Sequence, residues 1–337
     1  MKDLSSLKKL SHFPVMVNEV LKVCEIEKGG QYIDCTYGAG GYTNAILSYP
    51  NTKVIALDRD PFIKQFVSET EKKYKDRFKF FNIKFSEINK VVDKDSKVDF
   101  IIFDLGVSLM QILNLKRGFS FNSHSEVDMR MGNNSISASD VLNKFDIKTL
   151  NKIFKIFGDE KDSLRIAKNI VLERKKNPIK TVPQLVSIIK KSKKRDFKKK
   201  INLSTKTFQA LRIFVNNEIS ELIEGLIKAA ELLKAGGKIV VVSFHSTEDK
   251  IVKFFFRNYS RNRSRPSRYY PDFNDEENLF EDYKNKVIKP GKYELNLNNP
   301  SRSAKLRFVV RNNKTFFYPK ELKKKFSKYL DLEGENV

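Results

Sequence analysis

A glycine-rich turn stands between two aspartates at spacings that are typical of a nucleoside-binding site. Asp34 precedes the turn Gly38–Gly41, and Asp58 follows Gly38 by 20 residues. Glycine lets the backbone approach a ligand closely and tolerates positive φ angles. An acid at the tip of the next strand can accept hydrogen bonds from both ribose hydroxyls of a nucleoside. The pattern therefore predicts a cofactor that contains a nucleoside.

Two cofactors satisfy this spacing, and the third glycine position distinguishes them. A dinucleotide site requires G-x-G-x-x-G with a pyrophosphate at the helix N-terminus, but Thr43 occupies the third position here. S-adenosylmethionine has no phosphate, so it needs only the glycine turn and the ribose acid, and Asp34 suits its cationic methionine moiety. The sequence favours S-adenosylmethionine. A glycine turn whose acid only caps a helix remains open as the alternative.

Asp104 follows the apolar segment Phe100–Phe103, at a strand end where an enzyme that methylates amines needs a hydrogen-bond acceptor. The lone pair of an aromatic amine such as cytosine N4 is delocalised into the ring, and a hydrogen bond from N4–H to a carboxylate localises it. Asp104 is therefore the candidate catalytic residue, with a role in cofactor binding alone left open. Methylation at cytosine C5 would need a cysteine nucleophile after a late strand, and neither Cys24 nor Cys35 has that position.

A loop after Asp104 mixes aromatic, cationic and acidic side chains among glycine and serine. Its two motifs are RGFSF at residues 117–121 and DMRM at residues 128–131. Such a loop can stack on and hydrogen-bond an extruded base, whereas ordinary loop packing is the open alternative. The candidate substrate contacts in this loop are Arg117, Phe119, Asp128 and Arg130.

The charge of the chain points to a polyanionic partner. The formal net charge of the 337 residues is +24, and basic residues cluster at Lys190–Lys200 and Arg257–Arg268. Phosphate contacts made by such clusters release condensed counterions, although a lysine-rich solvated surface is the open alternative. We expect Arg261, Arg263 and Arg265 to hold an RNA backbone while the loop at residues 117–131 receives the base.

The cysteine and histidine content argues against disulfides and metal. The two cysteines and three scattered histidines form neither a disulfide framework nor a zinc pattern, so no metal is expected. His245 could accept a proton, but a lone histidine at a strand end is more often a structural hydrogen-bonding residue. The N-terminus lacks the apolar region of a signal peptide, and no apolar run is as long as a membrane span. A cytoplasmic protein without a membrane partner is expected.

The elements that position these residues alternate between strand and helix, then become helical, then return to strand. This rhythm predicts a parallel sheet with helices on both faces that is interrupted by a helical insert. The predicted strands are Gln31–Asp34, Lys53–Leu57, Arg77–Phe81, Phe100–Phe103, Lys238–Ser243 and Leu306–Arg311. The predicted helices are Tyr42–Ser48, Leu142–Phe157, Lys161–Arg174, Val182–Ile189 and Thr207–Leu233. The polar segment Tyr259–Asn285 is predicted to be a flexible loop.

Segments spread over residues 12–311 together resemble the 16S rRNA (cytosine-N4)-methyltransferase family. The matching stretches are HFPV, YIDCTYGAGG, ALDRDP, FDLGVS, RGFSF, DMRM, TFQALRIFVNNE, GGKIVVVSFHSTEDKIVK and NPSRSAKLR. The combination of FDLGVS, RGFSF and DMRM with SFHSTEDKIVK is highly specific. The sequence departs from the family pattern at Tyr42, where histidine is usual, and at Leu109-Met110, where Ser-Pro is common.

The resemblance implies a Rossmann-like class I methyltransferase sheet interrupted by an all-helical domain. It implies a methyltransferase domain formed by residues 1–120 and 205–337 and a substrate-recognition domain formed by residues 121–204. It implies S-adenosylmethionine as donor and a cytosine of the decoding centre as acceptor, in small-subunit rRNA or the assembled small subunit. The implied cofactor contacts are Gly40, Gly41, Tyr42, Asp58, Phe85, Asp104 and Gln111. The oligomeric state is left open, a homodimer included.

Three other functions are weighed against this one. A methyltransferase that acts on an amine in another nucleic acid, such as DNA, would have the same sheet. A dinucleotide-dependent oxidoreductase is disfavoured by the incomplete glycine pattern. A non-catalytic RNA-binding protein is disfavoured because Asp58 and Asp104 are both present.

Overall fold

A mixed β-sheet organises the fold in a computed structural model that describes residues 14–92, 98–193, 202–262 and 278–335. Its strands are β1 (Gly30–Asp34), β2 (Thr52–Leu57), β3 (Phe78–Phe81), β4 (Val98–Asp104), β5 (Leu233–Ser243) and β6 (Lys305–Val310). Among the described residues they pair in the order β3-β2-β1-β4-β5-β6. All neighbours are parallel except β5 and β6, which are antiparallel. This confirms the predicted Rossmann-like α/β sheet.

Apolar runs explain why the central strands form. Strand β4 has the sequence VDFIIFD, and Ile101, Ile102 and Phe103 are fully buried. Strands that are covered on both faces in this way read as continuous apolar segments rather than as alternating ones. Because β1, β2, β4 and β5 are parallel, their carboxyl ends lie along one edge of the sheet.

The helices occupy the connections between the strands and the long segment between β4 and β5. They are α1 (Val17–Val23), α2 (Gly41–Leu47), α3 (Lys64–Tyr74), α4 (Leu109–Leu113), α5 (Ala138–Lys144), α6 (Ile147–Gly158), α7 (Ser163–Arg174), α8 (Val182–Ser192), α9 (Thr205–Asn216), α10 (Glu218–Leu232), α11 (Ser246–Asn258), α12 (Lys292–Leu297), α13 (Lys320–Lys325) and α14 (Ser327–Gly334). Every helix among the described residues is too short or too polar to span a bilayer.

The chain divides into two compact units. The sheet unit comprises Met1–Gly106 and Glu221–Lys325, and the helical unit comprises Val107–Ser220 and Phe326–Val337. In the helical unit, α6 packs against α7, α9 and α14. Phe157 of α6 contacts Phe214 and Tyr329, with ring centroids 6.3 Å and 6.0 Å apart.

These units differ from the predicted domain boundaries at both ends of the insert. Residues 107–120, 205–220 and 326–337 were assigned to the methyltransferase domain, but they belong to the helical unit. The reason is packing between segments distant in the chain, because α9 and α14 both contact α6. The assignment of substrate recognition to residues 121–204 stays a prediction.

Two predicted helices are each divided in the structure. The segment Leu142–Phe157 is broken because Asp146 caps the N-terminus of α6, where its Oδ1 accepts a hydrogen bond from Thr149 N at 2.7 Å. The segment Thr207–Leu233 is broken at Asn217, which has a φ of 50°. Asparagine adopts this left-handed conformation more readily than most residues, and a helix cannot continue through it.

The predicted loop Tyr259–Asn285 has no helix or strand over its described residues 278–285, which nevertheless pack in the sheet unit, and residues 263–277 lie outside the described residues. Leu279 and Phe280 are fully buried. Phe280 forms bridges with Ser260 and Arg311, so this part of the segment is fixed against the sheet unit.

Candidate active site

Three aspartates lie at the carboxyl edge of the sheet. Asp34 ends β1, Asp104 ends β4, and Asp58 directly follows β2. Asp34 pairs in register with Ala56 of β2 and with Ile102 of β4, so the three carboxylates belong to adjacent strand ends. The sheet topology therefore brings together the acids that the sequence singled out separately.

The glycine turn between β1 and α2 packs closely against neighbouring residues. Gly40 has a φ of 76°, and a Cβ atom at this position would lie 2.7 Å from the Tyr37 hydroxyl. A Cβ atom on Gly41 would lie 2.8 Å from Cβ of Pro14. Both positions thus require glycine, one for its backbone conformation and both for close packing.

Asp58 ties the glycine turn to β2. Its Oδ2 accepts a hydrogen bond from Gly38 N and its Oδ1 accepts one from Asp60 N, both at 2.8 Å. A carboxylate has about four lone-pair sites, so acceptor capacity remains on both oxygens for ribose hydroxyls. Burial raises the pKa of Asp58 to about 6, and the two backbone hydrogen bonds oppose that rise.

Asp104 carries an unsatisfied buried oxygen. Its backbone N donates to Thr36 Oγ1 at 2.8 Å, whereas Oδ1 is buried and has no hydrogen-bond partner among the described residues. Burial holds the pKa of Asp104 well above its usual range, and the charges of Asp34, Glu248 and Glu294 add to the rise. Leaving a buried polar atom unpaired costs about 1–3 kcal/mol, which a ligand that donates a hydrogen bond would offset.

Asp34 forms hydrogen bonds to residues on both sides of the glycine turn. It is fully buried, and it accepts hydrogen bonds from Thr36 N at 3.1 Å and Thr43 Oγ1 at 2.7 Å. Burial raises the pKa of Asp34 to about 6. Asp34, Asp58 and Asp104 give this edge a negative potential when ionised, so the residues fit a cationic, nucleoside-containing ligand.

Two other predicted cofactor residues lie in the sheet unit. Tyr42 is buried, and its hydroxyl donates to the carbonyl of Val15, so its ring packs in the core. Phe85 is half-buried and meets Phe103 edge-on, with centroids 5.4 Å apart. A Cβ atom on Gly225 of α10 would lie 2.6 Å from the Phe85 ring. Sequence reasoning missed Gly225, although a lone glycine inside an amphipathic helix is a signal of close packing.

Gln111 lies in the helical unit and caps the start of α4. Its Oε1 accepts a hydrogen bond from Ser108 N at 3.0 Å, and Ser108 Oγ accepts one from Gln111 N at 3.2 Å. This reciprocal capping box fixes the turn without the proline that is common in the family. A contact between Gln111 and the cofactor stays a prediction.

The candidate base-binding loop is ordered by contacts within the helical unit. Asp128 forms a bidentate ion pair with Arg130, with both N–O distances 2.8 Å. Arg117 donates to the carbonyl of Arg130 at 2.7 Å, and its guanidinium lies 5.4 Å from the centre of the Phe119 ring. The structure brings these four residues together, while their contact with a base stays a prediction.

Asn216 anchors this loop and was missed by sequence reasoning. It is buried, donates through Nδ2 to the carbonyl of Met129 at 2.8 Å, and accepts through Oδ1 from Met131 N at 2.8 Å. A polar residue at the buried end of the amphipathic helix α9 was the available signal, because buried amides are normally paired.

The remaining described candidates, Arg261 and His245, both have hydrogen-bond partners for their side chains. Arg261 is exposed, and its Nε donates to Asp282 Oδ1 at 2.9 Å. Arg263 and Arg265 lie outside the described residues. His245 caps α11 by accepting a hydrogen bond from Glu248 N at 3.4 Å, as expected for a structural histidine.

Comparisons with known proteins agree with this geometry. Residues 9–312 match the model of the MraW methylase family. The chain is 42% identical to ribosomal RNA small subunit methyltransferase H of Ehrlichia canis over 89% of this chain and 99% of that protein. It is 41% identical to the protein of the same name from Orientia tsutsugamushi strain Boryong over 90% of this chain and 98% of that protein. The predicted cofactor, S-adenosylmethionine, is confirmed. The chain therefore belongs to the MraW methylase family.

Proposed function

We propose that this protein methylates the exocyclic N4 amine of a specific cytosine in the decoding centre of 16S rRNA. The observation that carries the proposal is the buried, unpartnered Oδ1 of Asp104 at the carboxyl end of β4. An N4 amine supplies the donor that this oxygen lacks. The relatives named as small-subunit rRNA methyltransferases support the class of substrate.

The residues of the sheet unit divide the work of the reaction. S-adenosylmethionine supplies an electrophilic methyl group on a sulfonium. The turn Gly38–Gly41 lets the protein backbone approach S-adenosylmethionine closely, and Asp58 accepts hydrogen bonds from the ribose of this cofactor. Phe85 offers an aromatic face for the adenine. Positioning of this kind accounts for much of the rate enhancement in transfers between two bound groups.

Asp104 acts on the acceptor amine. Its carboxylate accepts a hydrogen bond from N4–H, which localises the nitrogen lone pair for in-line attack on the methyl carbon. Transfer would form the N–C bond as the bond between sulfur and the methyl carbon breaks, and the electron pair of the broken bond would stay on sulfur. The methylated nitrogen then loses a proton, and the raised pKa of Asp104 makes its carboxylate a suitable acceptor for that proton.

Methylation at C5 of cytosine is disfavoured by the state of the thiols. Burial raises the pKa of Cys24 to about 12 and holds the pKa of Cys35 well above its usual range. Both cysteines therefore remain thiols near neutral pH, whereas attack on the ring requires a thiolate.

The basic surface and the helical unit are proposed to bind RNA. A net charge of +24 favours association with a phosphate backbone. The loop at residues 117–131 is proposed to receive the base. We propose that Arg261, Arg263 and Arg265 contact the RNA backbone, and Arg261 is exposed beside its partner Asp282.

Product analysis tests the proposal. Small subunits, naked 16S rRNA and single-stranded DNA, all lacking the modification, are incubated with the protein and labelled S-adenosylmethionine, then digested to nucleosides. We expect N4-methylcytidine at one site in the RNA and none in the DNA. Label in 5-methylcytidine, or transfer to DNA at a comparable rate, would overturn the proposal.

A further inference from the structure

A cavity of about 370 Å³ lies in the sheet unit where β5 passes into α11. Its lining includes His245, Ser246, Lys289, Arg302 and Lys305. None of these five residues belongs to the cofactor site described above. The cavity is of the size that proteins use to hold small ligand groups.

The cations of this cavity are only partly neutralised. Lys305 lies 2.9 Å from Asp249 Oδ2, but Asp249 is shared with Arg307, whose Nε lies 2.7 Å from Oδ1. Lys289 and Arg302 are exposed and form no ion pair with any residue that the structure describes. The cavity therefore has an excess of positive charge, which favours an anionic ligand.

The first turn of α11 adds hydrogen-bond donors. Phe244 N and His245 N both donate to Glu248 Oε2, at 2.8 Å and 3.2 Å. The next two N–H groups, of Ser246 and Thr247, have no acceptor within the helix, as holds for the first residues of any α-helix. An anion beside Ser246 would gain these donors and the favourable end of the helix dipole.

His245 lines the cavity at the start of α11, beside the Glu248 carboxylate. Its side chain is 10% exposed, and its Nε2 is buried with no hydrogen-bond partner among the described residues. Nε2 lies 3.0 Å from Glu248 Oε1 without making a hydrogen bond to it. Because Nδ1 accepts from Glu248 N, the neutral ring carries its proton on Nε2, where the nearest acceptor is the Glu248 carboxylate.

The sheet register puts this cavity beside the proposed methyl-transfer site. Asp104 of β4 pairs with Val242 of β5, and Ser243 pairs with Lys305 of β6. Adjacent strands are about 4.8 Å apart, so the cavity begins about one strand away from Asp104. A nucleotide whose base reaches Asp104 can place its own or a neighbouring phosphate in the cavity.

We propose that this cavity binds a phosphodiester of the RNA strand next to the methylated cytosine. Arg302 offers a planar fork that matches phosphate oxygens, Lys289 and Lys305 add charge, and the Ser246 N–H adds a fixed donor. The inference rests on the proposed function, because it takes a nucleic acid strand as the substrate.

Charge removal inside and outside the cavity tests this inference. The variant Lys289→Gln/Arg302→Gln removes two exposed cations of the cavity, and the control Lys284→Gln/Lys286→Gln removes two exposed cations of the same chain segment outside it. For single-stranded RNA, each lost phosphate contact lowers the slope of log K against log salt by about 0.7. We expect a reduced slope in the cavity variant only, with unchanged affinity for S-adenosylmethionine. Equal slopes in the cavity variant and the wild type would overturn the inference.

A second pair of variants distinguishes the contribution of the Ser246 backbone N–H to RNA binding from that of the Ser246 side chain. Proline is well tolerated at the first helical position, and His245 has extended angles (φ −130°, ψ 163°) that suit the residue before a proline. Ser246→Pro removes the N–H, whereas Ser246→Ala keeps it. We expect Ser246→Pro to bind RNA about tenfold more weakly than Ser246→Ala at equal melting temperature. Equal RNA affinity of the two variants would contradict a phosphate at this position.

Two further measurements distinguish free phosphate from an RNA phosphodiester as the ligand, and distinguish failure of this inference from failure of the proposed function. Inorganic phosphate should compete with RNA in the wild type and less in the cavity variant. Competition by phosphate together with an unchanged RNA slope would mean a site for free phosphate and would overturn the RNA assignment. Binding is measured without turnover, so a wild type that binds RNA through this cavity but forms no N4-methylcytidine would refute the proposed function alone.

Discussion

Asp34, Asp58 and Asp104 lie along one edge of the sheet, and their negative charges repel one another. Burial raises the pKa of Asp34 and of Asp58 to about 6, and the charge of Asp34 adds to the rise at Asp104. A cationic ligand at this edge would favour the ionised forms. Cofactor binding and the ionisation of these residues should therefore be coupled.

The affinity for S-adenosylmethionine is expected to depend on the ionisation of Asp58. Its pKa is raised from 3.8 to about 6, so its carboxylate becomes protonated as the pH falls through 6 and loses acceptor capacity. Affinity should therefore rise between about pH 5 and pH 7. Asp58→Asn should weaken binding by about 1–3 kcal/mol at neutral pH and reduce this pH dependence. Calorimetry across this range measures both effects.

Asp76→Asn is the matched control, because it removes an exposed carboxylate of the same unit. It should leave the affinity and its pH dependence unchanged. Any pH dependence that remains in Asp58→Asn would be assigned to Asp34 and Asp104. Wild-type affinity in Asp58→Asn would remove Asp58 from the cofactor site.

Asp104 is expected to affect the chemical step more than cofactor binding. Asp104→Asn keeps the size of the side chain but cannot take up a proton and is a weaker acceptor. In single-turnover experiments the rate should fall by about 100-fold or more, whereas the affinity for S-adenosylmethionine should change by less than about tenfold. Equal losses in rate and affinity would restrict Asp104 to a role in cofactor binding.

The start of α10 is capped by a residue that is distant in the chain. Glu333 of α14 is buried, and its carboxylate accepts hydrogen bonds from Ile219 N at 2.9 Å and Ser220 N at 2.8 Å at the start of α10. Burial raises the pKa of Glu333 to about 7 from 4.5. These contacts connect the last helix of the chain to a helix more than a hundred residues earlier.

Glu333 is expected to make the stability of the helical unit depend on pH. Because its folded-state pKa is raised, the protonated form is favoured in the folded state, and the free energy of unfolding should fall as the pH rises from about 4.5 to about 7. Glu333→Gln cannot ionise, so its stability relative to the wild type should improve over this range by up to about 3 kcal/mol. Urea unfolding at pH 5 and pH 7 measures this difference. A difference between the two proteins that is the same at both pH values would contradict the buried, titrating carboxyl.

The sequence predicts the strands better than the helix boundaries, for a physical reason. An apolar run such as that of β4 identifies a buried strand locally, and all six predicted strands are present in the sheet. The left-handed conformation of Asn217 is not visible in the sequence, because asparagine also occurs inside helices. The packing of Gly225 against Phe85 likewise joins residues far apart in the chain. Asp34 and Asp58 were predictable because they lie close to the glycine turn in the chain, and Asp104 was predictable because it ends the apolar run of β4.

The division of the whole chain into two units could not be read from the sequence. The last helix, α14, follows the final strand but packs in the helical unit, where Tyr329 contacts Phe157. Amphipathic patterns show that a helix has a buried face, but they do not show which other element covers it. The predicted domain boundaries therefore followed chain order, while the observed units follow packing.

The two units are expected to open as separate cooperative regions. Tyr329→Ala removes a buried ring from the helical unit, and Phe280→Ala removes one from the sheet unit, where it lies 5.2 Å from the Phe255 ring. Each truncation should cost about 3 kcal/mol, because the contacts of a large buried ring are lost and a cavity remains. Native-state hydrogen exchange reports the opening free energy of each region. We expect Tyr329→Ala to accelerate exchange in α6, α9 and α14, and Phe280→Ala to accelerate it in β5, β6 and α11.

The two variants serve as controls for each other, since both remove a buried ring of similar size. Acceleration of both sets by either variant would mean that the chain unfolds as one region in spite of its two compact units.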